Sequence, residues 1–162
     1  QMSTLGTQNL SNALEVLLHS LKNDTEPDVQ AAAADALGAL KLTDALEDLQ
    51  QVYSNTSEWL VQLSIVAALG EMGDPKAFPI LENALTSENE LIQTMAIGAL
   101  GELGDKRAIA LLIPYAVNPD WQIRYRVAQA LRRLGGAEAE ATLEILAKDE
   151  VEQIAREAKG TY

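Results

Sequence analysis

The sequence predicts an all-α fold, an α-solenoid of about five tandem two-helix repeats. A column of leucines, spaced 32, 31 and 31 residues apart, marks the repeat: Leu37, Leu69, Leu100 and Leu131. A second leucine column lies upstream at a similar period: Leu17, Leu49, Leu81, Leu112 and Leu143. Hydrophobic residues make up 48% of the chain and aromatic residues only 4%, so the core must come from small aliphatic side chains. Such a period is typical of stacked repeats that contact mainly their neighbours.

The first repeat shows both helices. Its first helix is predicted over 13–21, where Leu14, Leu17, Leu18 and Leu21 follow the 3-1-3 spacing of a helical stripe. A turn over 22–27 leads to a second helix over 29–40. Applied along the chain, the period divides a single domain, 1–162, into repeats at about 13–44, 45–76, 77–107, 108–138 and 139–160.

The second helices repeat a buried stripe and a stop signal. In the first repeat the predicted stripe comprises Val29, Ala33, Ala36, Leu37 and Leu40. Alanine recurs in this stripe because two helices must approach closely there. The helices stop at Gly73-Asp74-Pro75, Gly104-Asp105 and Gly135-Gly136, since glycine suits the left-handed position after a helix and proline opens the next one.

Two elements depart from the regular pattern. Pro114 lies inside the predicted first helix of the fourth repeat, where a ring without an N–H should kink the helix. The last second helix, predicted over 151–159, is mostly charged. A polar terminal repeat is what a solenoid needs in order to end in water.

Charge is unevenly distributed. The formal net charge is −12, so the surface as a whole repels nucleic acid and nonspecific nucleic-acid binding is not expected. Residues 106–133 nevertheless contain six basic and one acidic side chain, a net charge of +5. The fourth repeat is therefore predicted to be a basic island on an acidic body.

The chain contains no cysteine, which excludes disulfides and thiol nucleophiles and fits a reducing compartment. The longest apolar run, around 108–117, is broken by Pro114 and is too short to span a membrane. The N-terminal residues lack a basic region followed by an apolar stretch, so we expect no signal peptide. These observations predict a cytoplasmic protein without membrane insertion.

Two segments carry a family resemblance: Val61-Gln62 with 67–77, and Ile92-Gln93 with 99–108. They resemble the motif V-R-x-x-A-A-x-A-L-G-x-L-G-D-x-x-A of the HEAT-like repeats in the phycobilisome lyase family, over about residues 13–158. Glutamine holds the position of the motif's arginine at Gln30, Gln62 and Gln93, and Arg124 alone matches it. The resemblance implies a right-handed solenoid of HEAT-like repeats.

That family includes bilin lyases, which attach or remove open-chain tetrapyrroles on phycobiliproteins, and adaptors in phycobilisome breakdown. The resemblance therefore implies a protein partner, either a phycobiliprotein or a second HEAT-repeat subunit. It implies no resident cofactor for an adaptor and a phycobilin for a lyase.

The resemblance also implies that the second helices line the concave side, where the helical wheel places an apolar patch with a cationic end. The predicted partner-binding residues are Trp59, Leu63, Leu91, Trp121, Arg124, Tyr125 and Arg132. Exposed apolar patches with aromatic anchors mark binding sites. Gly70, Gly98 and Gly101 are expected to let a partner approach the backbone. The alternative is that Trp59 and Trp121 pack locally against the turns between helices.

The arginines of the fourth repeat also have two interpretations. Arg124, Arg126, Arg132 and Arg133 lie on one predicted helix, and the guanidinium fork matches a carboxylate of a bilin or an acidic partner. Their alternative role is to neutralise neighbouring acids such as Glu102. Arg124 is the strongest functional candidate of the four because it matches the family motif.

No catalytic or metal-binding constellation is predicted. His19 is the only histidine and lies on the outer side of its helix. The acids of 24–28 lack the glycine of a calcium loop, and no Cys/His set for zinc is present. The sequence therefore favours a non-catalytic protein-binding scaffold or adaptor. The alternatives are a bilin lyase or lyase subunit, and a structural module of a larger assembly.

Overall fold

The computed structural model describes residues 4–160, and helices are the only regular secondary structure within that range. Ten α-helices and three 3-10 helices follow one another. The α-helices are α1 (Thr4–Asn23), α2 (Pro27–Ala39), α3 (Leu46–Asn55), α4 (Trp59–Met72), α5 (Phe78–Leu85), α6 (Glu90–Leu103), α7 (Ala108–Leu112), α8 (Trp121–Leu134), α9 (Ala137–Leu146) and α10 (Glu152–Lys159). The 3-10 helices span Thr43–Ala45, Pro75–Ala77 and Ile113–Val117.

The helices form two layers, and this arrangement confirms the predicted α-solenoid of five helix pairs. The odd-numbered helices are the first members of each pair and the even-numbered helices are the second members. Each second helix packs directly against the next one, whereas the first helices contact one another less. The predicted leucine column, Leu37, Leu69, Leu100 and Leu131, is fully buried between the layers. The tighter packing of the second helices makes their side the concave one.

Glycines allow this tight packing. A Cβ atom on Gly38 would lie 2.6 Å from Ala68 Cα, and a Cβ atom on Gly101 would lie 2.8 Å from Ala130 Cα. Gly70 meets Ala99 in the same way. The prediction that Gly70 and Gly101 admit a partner is therefore wrong, because the next second helix occupies that space. Gly98, by contrast, has nothing within 4 Å of its Cβ position.

Helix ends follow the predicted signals. Gly73 and Gly104 close α4 and α6 with φ of 72° and 77°, a conformation that favours glycine. The Asp74 carboxylate accepts a hydrogen bond from the Lys76 N–H, and Pro75 opens the next 3-10 helix. At the start of α8, the Asp120 carboxylate accepts a hydrogen bond from the Gln122 N–H. These local signals position the second helices in register.

Two sequence predictions need correction. Pro114 does not kink a continuous helix; α7 ends at Leu112 and the chain tightens into a 3-10 helix over Ile113–Val117. Val29 and Leu40, which were predicted to be in the core, are exposed. In later repeats, the second helix of the repeat before covers this stripe. Within residues 4–160, no second helix precedes α2, so its stripe is uncovered. Val61, in the same column as Val29, is fully buried.

Candidate functional site

A groove runs along the concave side across α4, α6, α8 and α10. It consists of three adjoining depressions of about 560, 210 and 450 Å³. The largest is lined mainly by the C-terminal halves of the second helices, and the other two by their N-terminal halves. Because the three depressions share lining residues, they form one continuous surface.

The edge formed by the N-terminal halves is apolar. Leu63 from α4, Leu91 from α6, and Trp121 and Tyr125 from α8 line it. Leu91 is 57% exposed and Trp121 is 41% exposed, so neither side chain is buried within the chain. The structure thus brings together four of the predicted residues. Trp59, which is 47% exposed, does not line these three depressions.

The edge formed by the C-terminal halves is charged. Glu71, Glu102 and Arg133 occupy equivalent positions near the ends of α4, α6 and α8, and Arg132 lies beside them. Arg132 donates a hydrogen bond from one terminal nitrogen to the carbonyl oxygen of Glu157, at 3.2 Å. Within residues 4–160, no arginine forms an ion pair with Glu102. The neutralisation of Glu102 that the sequence left open is therefore absent from the structure.

Arg126 lies at the centre of the groove and lines all three depressions. Its side chain is exposed and has no hydrogen-bond or ion-pair partner in the described part of the chain. Arg126 is not among the partner-binding residues predicted from the sequence. A signal was present, because Arg126 precedes the concave-face residue Gln129 by three positions and so shares its stripe.

Arg124 has a different position from the one predicted. Its guanidinium forms an ion pair with Asp149, with Nε 2.9 Å from Oδ2, and the two side chains are only 14% and 11% exposed. A terminal nitrogen also donates to the carbonyl oxygens of Asn118 and Pro119 at 2.8 and 3.1 Å. Since these contacts engage its donors within the chain, Arg124 ties α8 to the preceding loop and to the fifth repeat.

The glutamines in the Arg124 column also donate hydrogen bonds to backbone carbonyl oxygens before their helices. The side-chain amide of Gln30 donates to the Leu21 carbonyl at 2.9 Å, and that of Gln93 donates to the Leu85 carbonyl at 3.1 Å. Gln62 likewise donates to the Thr56 carbonyl at 3.1 Å. In α2, α4, α6 and α8, the motif position therefore binds the second helix to the end of the first helix or to the turn after it, through either glutamine or arginine.

We expect Arg124→Gln to lower the free energy of unfolding by about 1.5 kcal/mol at neutral pH, because a largely buried carboxylate loses its charged partner. Urea denaturation of the variant and the wild type measures this difference. Because glutamine holds the other motif positions, Gln at 124 can keep the hydrogen bond to the preceding loop. It cannot replace the ion pair with Asp149. An unchanged free energy of unfolding would contradict the assigned role.

The same pair predicts a pH dependence. The hydrogen bond from Arg124 lowers the pKa of Asp149 below its usual range, and Asp149 raises the pKa of Arg124 in turn. A lowered carboxyl pKa stabilises the fold above the unfolded-state pKa of about 4, and that stabilisation is lost as the pH falls through the folded-state pKa. Denaturation at several pH values should show that the free energy of unfolding falls less steeply with decreasing pH in Arg124→Gln than in the wild type.

The remaining candidates of the sequence lie outside the groove. His19 is exposed, and its Nδ1 lies 3.2 Å from the Asn23 side-chain nitrogen. Residues 4–160 contain no group of three His, Cys, Asp or Glu side chains arranged to hold a metal ion. None of the helices described is both long and apolar enough to cross a membrane.

Comparison with known proteins supports the fold. The HEAT-repeat family matches residues 14–92 and 81–159. No curated protein matches the chain. A solved structure of the complex of CpcE and CpcF of phycocyanin lyase from Nostoc sp. PCC7120 matches with a TM-score of 0.75 and 21% identity, covering 89% of this chain and 61% of that one. The chain thus spans about three fifths of the length of its lyase match.

Two further structures share the architecture. An engineered protein matches with a TM-score of 0.62 and 19% identity, over 90% of this chain and 76% of its own. Human deoxyhypusine hydroxylase in complex with glycerol matches with a TM-score of 0.52 and 18% identity, over 93% of this chain and 72% of its own. The predicted resemblance to phycobilisome lyase repeats is thus confirmed at the level of the fold. Because the matched family segments together run from residue 14 to residue 159, the chain belongs to the family of HEAT-repeat proteins.

Proposed function

We propose that the protein is a non-catalytic scaffold or adaptor that binds a segment of another protein in the concave groove. The supporting observation is the continuous groove with exposed apolar side chains on one edge and charged side chains on the other. Trp121, Tyr125, Leu63 and Leu91 are the anchors in this proposal, because clustered aromatic and aliphatic side chains supply most of the energy of an interface. Arg126 provides the central charged contact.

Arg132 remains in the proposed site, and Arg124 is left out of it. Arg132 lines the charged edge, and one of its terminal nitrogens donates to the Glu157 carbonyl oxygen. The contacts of Arg124 with Asp149 and the preceding loop engage its guanidinium. Trp59 is retained only as a peripheral contact, since it lies outside the three depressions.

The fold match to a phycocyanin lyase complex supports a choice of partner. A phycobiliprotein, or a second HEAT-repeat subunit, is the partner that we propose for this chain. The match covers three fifths of the lyase chain, so the activity of that complex does not transfer directly. An adaptor that positions a phycobiliprotein needs only the groove and no catalytic group.

A bilin lyase or lyase subunit is the alternative function. The observation that favours it is that Arg126 and Arg132 line the same groove as the apolar edge, an arrangement suited to a tetrapyrrole with two propionate groups. The acceptor cysteine would belong to the phycobiliprotein, so the lack of cysteine in this chain is compatible with the reaction. Co-expression with bilin synthesis and an apo-phycobiliprotein tests it, and transfer of colour to the acceptor is the supporting result.

Affinity capture from a phycobilisome-containing lysate tests the scaffold proposal. We expect a phycobiliprotein or a HEAT-repeat protein to be retained by the wild type and lost by Trp121→Ala/Tyr125→Ala. The matched control is Ile145→Ala, which removes an exposed apolar side chain from the first-helix layer. Identical captured proteins in all three samples would overturn the assignment of the groove, and absorbance of the captured material reports any bilin.

A further inference from the structure

One row of charged side chains along the groove changes sign between α6 and α8. Glu71 on α4, Glu102 on α6 and Arg133 on α8 are 31 residues apart in sequence and form one row along the stack. All three side chains are exposed, and none has an ion-pair partner in the described chain. The row therefore reads acidic, acidic, basic, and it runs beside the apolar edge of Leu63, Leu91 and Tyr125.

The spacing of this row matches one kind of secondary structure. Packed helices lie about 8–10 Å apart, and an α-helix rises about 1.5 Å per residue. One repeat of the solenoid therefore corresponds to about five to seven residues of a helix lying along the groove. A helix with a seven-residue pattern would present one apolar position and one polar position to every repeat.

A helix also fits the groove better than an extended segment does. The second helices satisfy their own backbone groups and offer no strand edge for pairing. An extended segment pressed into an apolar groove would leave backbone N–H and C=O groups without partners, whereas a helix satisfies them internally. Helix-in-groove recognition uses apolar anchors at helical spacing, and the apolar edge supplies the surface for them.

We propose that the groove binds an amphipathic α-helix whose polar face carries two basic residues opposite Glu71 and Glu102 and one acidic residue opposite Arg133. This inference rests on the proposed function and specifies the partner segment. Arg126, which also lies on α8 and lines all three depressions, reinforces the preference for an acidic residue opposite Arg133. The bound helix has either chain direction, and in both directions the central polar position is basic.

Synthetic helical peptides of about three heptads test the charge order. One peptide carries Lys, Lys and Glu at three heptad-spaced polar positions; its control carries Lys, Glu and Lys, with the same composition and net charge. We expect wild-type protein to bind the first peptide about tenfold more tightly at low salt. The control peptide places its Glu opposite Glu102 and a Lys opposite Arg133, which makes two like-charge pairs. This difference should shrink as ionic strength rises.

A charge-swapped protein supplies the matched test. Glu102→Lys/Arg133→Glu keeps the net charge but changes the row to acidic, basic, acidic, so we expect it to prefer the control peptide. Circular dichroism and thermal melting check that the variant is folded. Equal binding of the two peptides to wild type would overturn the charge order. Absence of binding by either would overturn the helical partner, while the capture experiment independently decides whether the groove binds a protein.

Discussion

Replacing Gly101 by alanine is expected to lower the free energy of unfolding by about 2 kcal/mol, although alanine is the better helix former. The added Cβ atom would lie 2.8 Å from both Cα and Cβ of Ala130 on the neighbouring helix. Because the obstructing atoms include backbone, relief requires α6 and α8 to move apart. Because the contact is with backbone, we expect a cost at the upper end of the overpacking range, about 3 kcal/mol, of which the helix-propensity gain offsets about 1 kcal/mol.

Gly98→Ala is the matched control in the same helix. Its Cβ position has no atom within 4 Å, so only the propensity term applies and the variant should be more stable by about 1 kcal/mol. Urea denaturation of the two variants measures the contrast. Opposite signs support close helix packing at Gly101; a stabilised Gly101→Ala would show that the stack tolerates a wider spacing at this junction.

The repeat could be predicted from the sequence because residues that share a column also share a packing environment. Leu37, Leu69, Leu100 and Leu131 are fully buried, since a residue between two layers has the same surroundings in every repeat. The end of the stack breaks this equivalence. Val29 has the same column as Val61, but within residues 4–160 no second helix precedes it, and periodicity alone does not reveal this difference.

The site was harder to predict because a helical wheel gives angles and not neighbours. The wheel placed Gly70 and Gly101 away from the leucine stripe, yet they face the next second helix. Arg124 and Arg126, two positions apart, point to different sides of α8. The family motif drew attention to Arg124, whose column fastens each second helix in place. Gln30, Gln62 and Gln93 were the clue, because two different polar side chains in one column fit a shared hydrogen-bonding role.

Within the proposed site, Trp121→Ala should weaken binding of a verified partner by at least about 2 kcal/mol, roughly thirtyfold. Trp121 shares its depression with Leu91, Tyr125 and Arg126, so a bound segment would bury the indole among apolar and cationic neighbours. Titration of the partner by calorimetry measures this loss. Melting temperatures of the variant and the wild type separate a binding effect from a folding effect.

Trp59→Ala is the sharpest control, because Trp59 and Trp121 occupy the same column two repeats apart and are similarly exposed. Trp59 does not line the three depressions, so its loss should change the affinity by less than about 1 kcal/mol. If both variants lose affinity equally, the partner extends over the N-terminal end of α4 and the site is longer than the three depressions. If Trp121→Ala has no effect, the groove is not the binding surface, since its most exposed aromatic anchor would contribute nothing.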